Sequence, residues 1–236
     1  MRFMFDTDEA FSYETLRAVA YTVYGGADIG EVMATAARIT PGDPESWYRE
    51  WRALADRTAT IAEKCAADGH TASASSAYLR ASNYYRSAEF FLRDDPANDP
   101  RVADTSARAI EAFRAAPEIQ AQWTRVRIPY EGIELEGYYL NSSGDEPGRT
   151  LLAHGGYDST VEELFFTVGE AARRRGWNCR AGQIRRLISE KHWCRTRCTR
   201  RAAKVFPRQR SRRNHPAGRH LRLVRHIPQI TTGAAG

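Results

Sequence analysis

The 236-residue sequence predicts an α/β fold in three parts. A helical N-terminal region covers 1–120, the first part of a sheet covers 121–179, and a basic, irregular tail covers 180–236. Three observations carry this division. Apolar residues recur at helical spacing from residue 7 to residue 116. After Pro117 the period changes from 3.6 to 2. From Arg180 onward acids almost vanish: sixteen Lys and Arg face the single acid Glu190, a net of +15, whereas residues 1–179 carry −9. The overall +6 therefore averages two compositionally different segments.

Composition also bounds the class of protein. No run approaches the ~20 apolar residues of a membrane span, and the first residues turn acidic at Asp6 rather than forming a leader. Of Cys65, Cys179, Cys194 and Cys198, the last three fall in or beside the tail, unlike a disulfide framework spread through a chain. A reduced, cytoplasmic protein without a membrane anchor is the expectation.

In the helical region, Phe11, Leu16, Val19, Ala20 and Val23 form a first stripe that Gly25-Gly26 ends. Asp28 caps a second helix, with Glu31 at the capping-box position and Ile29, Val32, Met33 and Ala36 on its apolar face. Asp43-Pro44 and Asp99-Pro100 each pair a capping Asp with a proline at the first helical position. Trp47, Trp51, Leu54, Thr58, Ile61, Ala62 and Cys65 follow one face down to Asp68-Gly69. His70 reads as a turn or cap residue. The next stripe runs Ala74, Ala77, Tyr78, Ala81, Tyr84, Tyr85, Ala88, Phe91 and Leu92, small residues alternating with aromatics as close helix packing requires. Val102, Ile110 and Phe113 carry the last helix to Pro117. Trp47, Tyr48, Tyr84 and Tyr85 read first as helical core. Their second reading is a substrate pocket, because amphipathic aromatics often face ligands.

Beyond Pro117, Val126, Ile128 and Tyr130, the turn Glu131-Gly132, and then Ile133, Leu135 and Tyr139 predict a β-hairpin. A polar loop, 141–148, leads to the stretch of greatest chemical interest, Arg149-Thr-Leu-Leu-Ala-His-Gly-Gly-Tyr-Asp-Ser-Thr160. Its short apolar run ends at His154-Gly155-Gly156. Ser159 or Thr160 then caps a helix, with Glu162 or Glu163 three residues on. Strand, glycine turn and helix N-terminus aim backbone N–H groups at one spot, where an oxygen gaining negative charge would sit. The loop Gly155, Gly156 and Tyr157 is the candidate anion cradle, with His154 positioning it. Glycines also end strands for steric reasons alone, so the motif gains weight only from its surroundings. Gly176 ends the helix and Trp177-Asn178-Cys179 opens the next strand. From Arg180 neither periodicity survives, and no structure is assigned.

These residues resemble a known family. The runs Gly42-Asp-Pro-Glu-Ser-Trp-Tyr-Arg-Glu-Trp51 and Tyr78-Leu-Arg-Ala-Ser-Asn-Tyr-Tyr-Arg-Ser-Ala-Glu-Phe-Phe91 are similar to one branch of the α/β-hydrolases. So are Ile128-Pro-Tyr-Glu-Gly132 and His154-Gly-Gly-Tyr-Asp-Ser159. In that branch a helical cap precedes the catalytic sheet, and it includes dihydropseudooxynicotine hydrolase and esterase-like proteins. The resemblance covers roughly residues 3 to 179. It implies a serine hydrolase acting on the C–C or ester bond of a small-molecule carbonyl substrate, with the loop at Gly155–Tyr157 as oxyanion hole. It implies no cofactor.

The chain departs from that pattern in its tail. No Gly-x-Ser-x-Gly occurs anywhere, Ser189 and Ser211 sit in no nucleophile elbow, and no acid follows Glu190. His192, His215, His220 and His226 lie among arginines. A Ser-acid-His triad in the family's order cannot be assembled, and little or no hydrolysis is expected of the chain as written. The abrupt change after Cys179 predicts a shifted reading frame or a degenerate, truncated gene end, and a sheet with an uncovered edge prone to aggregation. The alternative function is nucleic-acid or anionic-surface contact by the tail, with Trp193 and Phe206 stacking on bases. An arginine-rich frame of a GC-rich gene would look the same. His192-x-Cys194-x₃-Cys198 matches no standard zinc spacing, and no metal is expected. The sequence leaves the oligomeric state open.

Overall fold

The computed structural model describes residues 4–92, 98–130, 133–142, 149–156 and 159–182. Contacts divide the chain into two compact units, Met1–Gln122 and Trp123–Gly236.

The first unit is helical, and its capping signals act as their chemistry dictates. Helix α1 spans Glu9–Ala20 and α2 spans Ile29–Ala36, joined by a 3₁₀ turn at Tyr21–Tyr24 that ends on Gly25 in the left-handed region. Asp28 accepts from the Glu31 N–H at 2.9 Å, and Asp43 accepts from the N–H groups of Glu45 and Ser46 at the head of α3, Pro44–Ala67. Gly69 turns left-handed into α4, Thr71–Ala88. His70 stands at the N-cap of α4 but forms no side-chain cap bond. After a 3₁₀ turn at Glu89–Phe91 comes α5, Pro100–Ala115, which Asp99 caps by accepting from Arg101 N–H. Pro117 starts a further short helix, α6, Pro117–Gln122, instead of ending the helical region.

Phe5, Phe11, Trp47, Trp51, Tyr84 and Ala88 centre the core of this unit. Four residues assigned to buried stripes are on the outside: Ala20 is exposed, and Val23, Ile29 and Ile61 are 71%, 55% and 51% exposed. Val23 lies in the 3₁₀ turn, where the residue spacing has already left the helical period. Ile29 opens α2 before the turn that packs.

The second unit holds a four-stranded mixed sheet in the order β1-β2-β4-β3. β1 (Trp123–Tyr130) and β2 (Ile133–Leu140) form the expected antiparallel hairpin, in register from Trp123↔Leu140 to Tyr130↔Ile133. Its turn residues Glu131 and Gly132 lie outside the described residues. β3 (Thr150–His154) pairs in parallel with β4 (Asn178–Gly182). The helical run between them contains a π turn at Phe165–Gly169 followed by α7, Glu170–Arg174, and ends at Gly176 in the left-handed region.

Two expectations about this sheet change. Strand structure continues through Arg180, Ala181 and Gly182, where none was assigned. Its small residues carry no alternation because β4 is an inner strand, flanked by β2 and β3 and buried at Cys179, Ala181 and Gly182. In β2, Tyr138 and Leu140 are buried, while Tyr139 on the other face is half-buried. Leu135 on that second face is buried too, so β2 hides both faces and single-face alternation fails there. The last described strand is thus interior, and among the described residues β3 is the edge on that side.

Candidate active site

The site is built at the carboxyl end of the parallel pair, where open α/β sheets place their ligands. Leu151 and Ala153 bury one face of β3, opposite Cys179 and Ala181 of β4, and His154 ends the strand opposite Gly182. The strand entrance is anchored by Asn178 N–H donating to the Arg149 carbonyl at 2.8 Å and by the Arg149 guanidinium over the Trp177 ring.

The turn after His154 is closed by contact between Gly155 and Ser159. A Cβ added at Gly155 would lie 2.5 Å from Ser159 Cβ and 2.6 Å from its Oγ, so only glycine fits. His154 Nδ1 lies 3.1 Å from the Gly155 carbonyl oxygen, the geometry of an Nδ1–H donating to it, which ties the ring to the loop. Gly156 follows in described backbone, whereas Tyr157 and Asp158 lie outside the described residues.

Thr160, not Ser159, is the capping residue. Its Oγ1 accepts from Glu163 N–H at 3.3 Å, and Glu163 Oε2 accepts from Thr160 N–H at 2.8 Å, a reciprocal capping box. Ser159 Oγ instead donates to the Thr160 carbonyl. This modifies the anion cradle expected from the sequence. Two backbone donors at the helix start already serve the cap, and the first turn carries the buried carboxylates of Glu162 and Glu163. Negative charge there opposes a second anion at the helix terminus. Any charge-stabilising role therefore falls on the glycine loop.

Two features escaped the sequence reading. Tyr138 donates to Glu162 Oε1 at 3.0 Å, both side chains buried, tying β2 to the first helical turn. The available signal was an acid beside the capping Glu163, but assigning Tyr139 to the buried face hid its partner. The π turn was also invisible: Gly169 backs directly onto the Trp123 ring, 2.9 Å from where a Cβ would stand. Cys179, inside β4, is no nucleophile, since burial pushes its thiol up to about 12.

Of the residues considered for a pocket, Trp47, Tyr84 and Tyr85 sit in the core of the helical unit and Tyr48, partly buried, packs against it. Trp47 and Tyr84 are fully buried and Tyr85 nearly so. Trp47 Nε1 donates to the Ser87 carbonyl, Tyr84 hydroxyl to Glu31 and Tyr85 hydroxyl to Asp56. Among the described residues no cluster of three His, Cys, Asp or Glu could hold a metal, and no helix is long and apolar enough to cross a membrane. Ser189, Ser211, Glu190, Trp193, Phe206, the tail histidines and Cys194 and Cys198 lie outside the described residues.

The helical unit and the strand, loop and helix that follow it are shared with α/β-hydrolases, to whose curated members the chain is homologous over part of their length. It is 41% identical over 173 residues to the 20-hydroxy-prefusarin hydrolase of Gibberella moniliformis, a match covering 71% of this chain and 41% of that protein. It is 43% identical over 164 residues to an α/β-hydrolase of Aspergillus fumigatus, covering 66% of this chain and 37% of the relative. Among solved structures it is similar to 2,6-dihydroxy-pseudo-oxynicotine hydrolase, with a TM-score of 0.56 at 23% identity over 70% of this chain and 46% of that one, a likeness of fold. The chain spans less than half the length of these relatives. No protein-family model matches it.

Proposed function

We propose that the chain carries the cap and the oxyanion-stabilising loop of a hydrolase for a small carbonyl compound, cleaving a C–C or ester bond. The supporting observation is the closed turn at Gly155–Ser159, set at the carboxyl end of β3 and backed by the Thr160–Glu163 box. In the complete reaction a serine attacks the carbonyl carbon, a histidine takes the serine proton and passes it to the leaving group, and loop N–H groups hold the oxyanion. This chain supplies the last of those parts. Its sequence offers no Gly-x-Ser-x-Gly for the first, and the composition change after Cys179 supports a shifted reading frame in the tail.

Purified protein assayed on generic carboxylic esters and β-diketones is therefore expected to be inactive, while a version with the downstream frame restored hydrolyses one class or the other. Turnover by the chain as written, with covalent trapping of one of its serines by a phosphonate, overturns the reading. If no frame downstream of the Cys179 codon encodes a nucleophile elbow, the frame explanation fails. A second reading rests on the sixteen basic residues of the tail, which favour contact with nucleic acid or another polyanion. Preference among DNA sequences, beyond salt-dependent binding to all of them, is its discriminating result.

A further inference from the structure

We infer that Tyr138 and Glu162 form a positioning pair that fixes the glycine loop from beneath, an inference resting on the oxyanion-loop reading above. Tyr138 stands in the middle strand row, opposite Ala181 of β4, which in turn pairs with Ala153 of β3 one residue before His154. Arg125 of β1 is the neighbour of Tyr138 on one side, and on the other the small side chains of Ala181 and Ala153 leave the phenol room to reach the helical turn. Its hydroxyl donates to Glu162 Oε1 at 3.0 Å. The ring is held edge-on by Trp123, which also meets Phe165 and is backed by Gly169 in the π turn.

Glu162 lies between the two members of the capping box, and Ser159 next to Thr160 is pressed against Gly155. The sheet is therefore joined to the loop through Tyr138, Glu162, the capped turn, Ser159 and Gly155. Burying a carboxylate to 6% exposure is costly, and the hydroxyl donated from β2 offsets part of that cost while tying this turn to the sheet. The pair touches no reacting atom. It sets where the loop stands.

The test uses the full chain labelled with ¹⁵N, in wild type, Tyr138→Phe and Glu162→Gln. Tyr138→Phe is expected to move the amide resonances of Gly155 and Gly156 and to speed their hydrogen exchange by about tenfold, the factor for one lost hydrogen bond. Gly176, at the far end of the helix, keeps its wild-type signal and exchange. Glu162→Gln, which still accepts from the phenol, leaves the two loop glycines close to wild type. Unchanged loop glycines in Tyr138→Phe, or equal changes at Gly176, overturn the proposal. If Tyr138→Phe does not fold, Glu162→Ala gives the same readout, with the same shift expected and the same null result overturning it. No turnover is measured, so a still loop sinks the pair alone, while the substrate assays judge the oxyanion reading.

Discussion

At the scale of single residues, the site depends on steric exclusion more than on ionisable chemistry. Gly155 has no room for a methyl group, because Ser159 occupies that place. Gly155→Ala is expected to cost about 1–3 kcal/mol, the range for forcing extra atoms into packed structure, and urea titration of the two proteins measures it. Cys179 makes the complementary case. With its thiol pushed to about 12 by burial, native protein at pH 8 should leave Cys179 unmodified by iodoacetamide and label it only in denaturant, as peptide mass mapping shows. The sequence disclosed the residues whose role is local. Asp28, Asp43, Asp99 and the Thr160–Glu163 box are legible because a cap is a contact between neighbours along the chain. It did not disclose Tyr138–Glu162, a contact between residues 24 apart in sequence. Nor did it show which of Ser159 and Thr160 caps, since both residue types can accept that bond.

At the scale of elements, the helix between β3 and β4 combines three devices. The capping box starts it, the π turn at Phe165–Gly169 inserts one residue into its period, and Gly176 stops it. An extra residue rotates everything before it by about 100° relative to a uniform α-helix. No hydrophobic pattern of period 3.6 reports such an insertion, which is why the sequence read through it. The C-terminal half of this helix is held by Glu170, 1% exposed, paired with Arg173 and Arg174 at 2.7 Å each. Burial alone would raise the Glu170 pKa, but hydrogen bonds from the two arginines outweigh it and leave it lowered. A carboxyl depressed in the folded state adds stability above its unfolded pKa of about 4.3 and loses it as pH falls through the folded value. Glu170→Gln should therefore lower stability near neutral pH and flatten its decline below about pH 4, which urea midpoints measured from pH 7 to 3 report.

At the scale of the whole molecule, the two units draw on different interactions, and the sequence foretold them unequally. The helical unit was legible because its core is a set of local stripes: Trp47 and Trp51 on α3 and Tyr84 and Tyr85 on α4. The sheet was less so, because β4 owes its place to partners 28 residues earlier in β3 and 39 to 45 earlier in β2, and carries no alternation of its own. This difference makes independent folding of the first unit the natural test of the architecture. Residues 1–122 contain their own aromatic core, four aspartate caps (Asp8, Asp28, Asp43 and Asp99) and the ion pairs Arg52–Asp104 and Arg101–Glu45 that join α3 to α5. Surface pairs of this kind contribute little individually, so cohesion rests on the buried tryptophans and tyrosines. The fragment 1–122 is expected to unfold in one urea transition, with helical circular dichroism and the blue-shifted emission of Trp47 and Trp51, its two tryptophans, changing together. Emission already at solvent wavelengths before the helix melts would mean that this core needs the sheet to form.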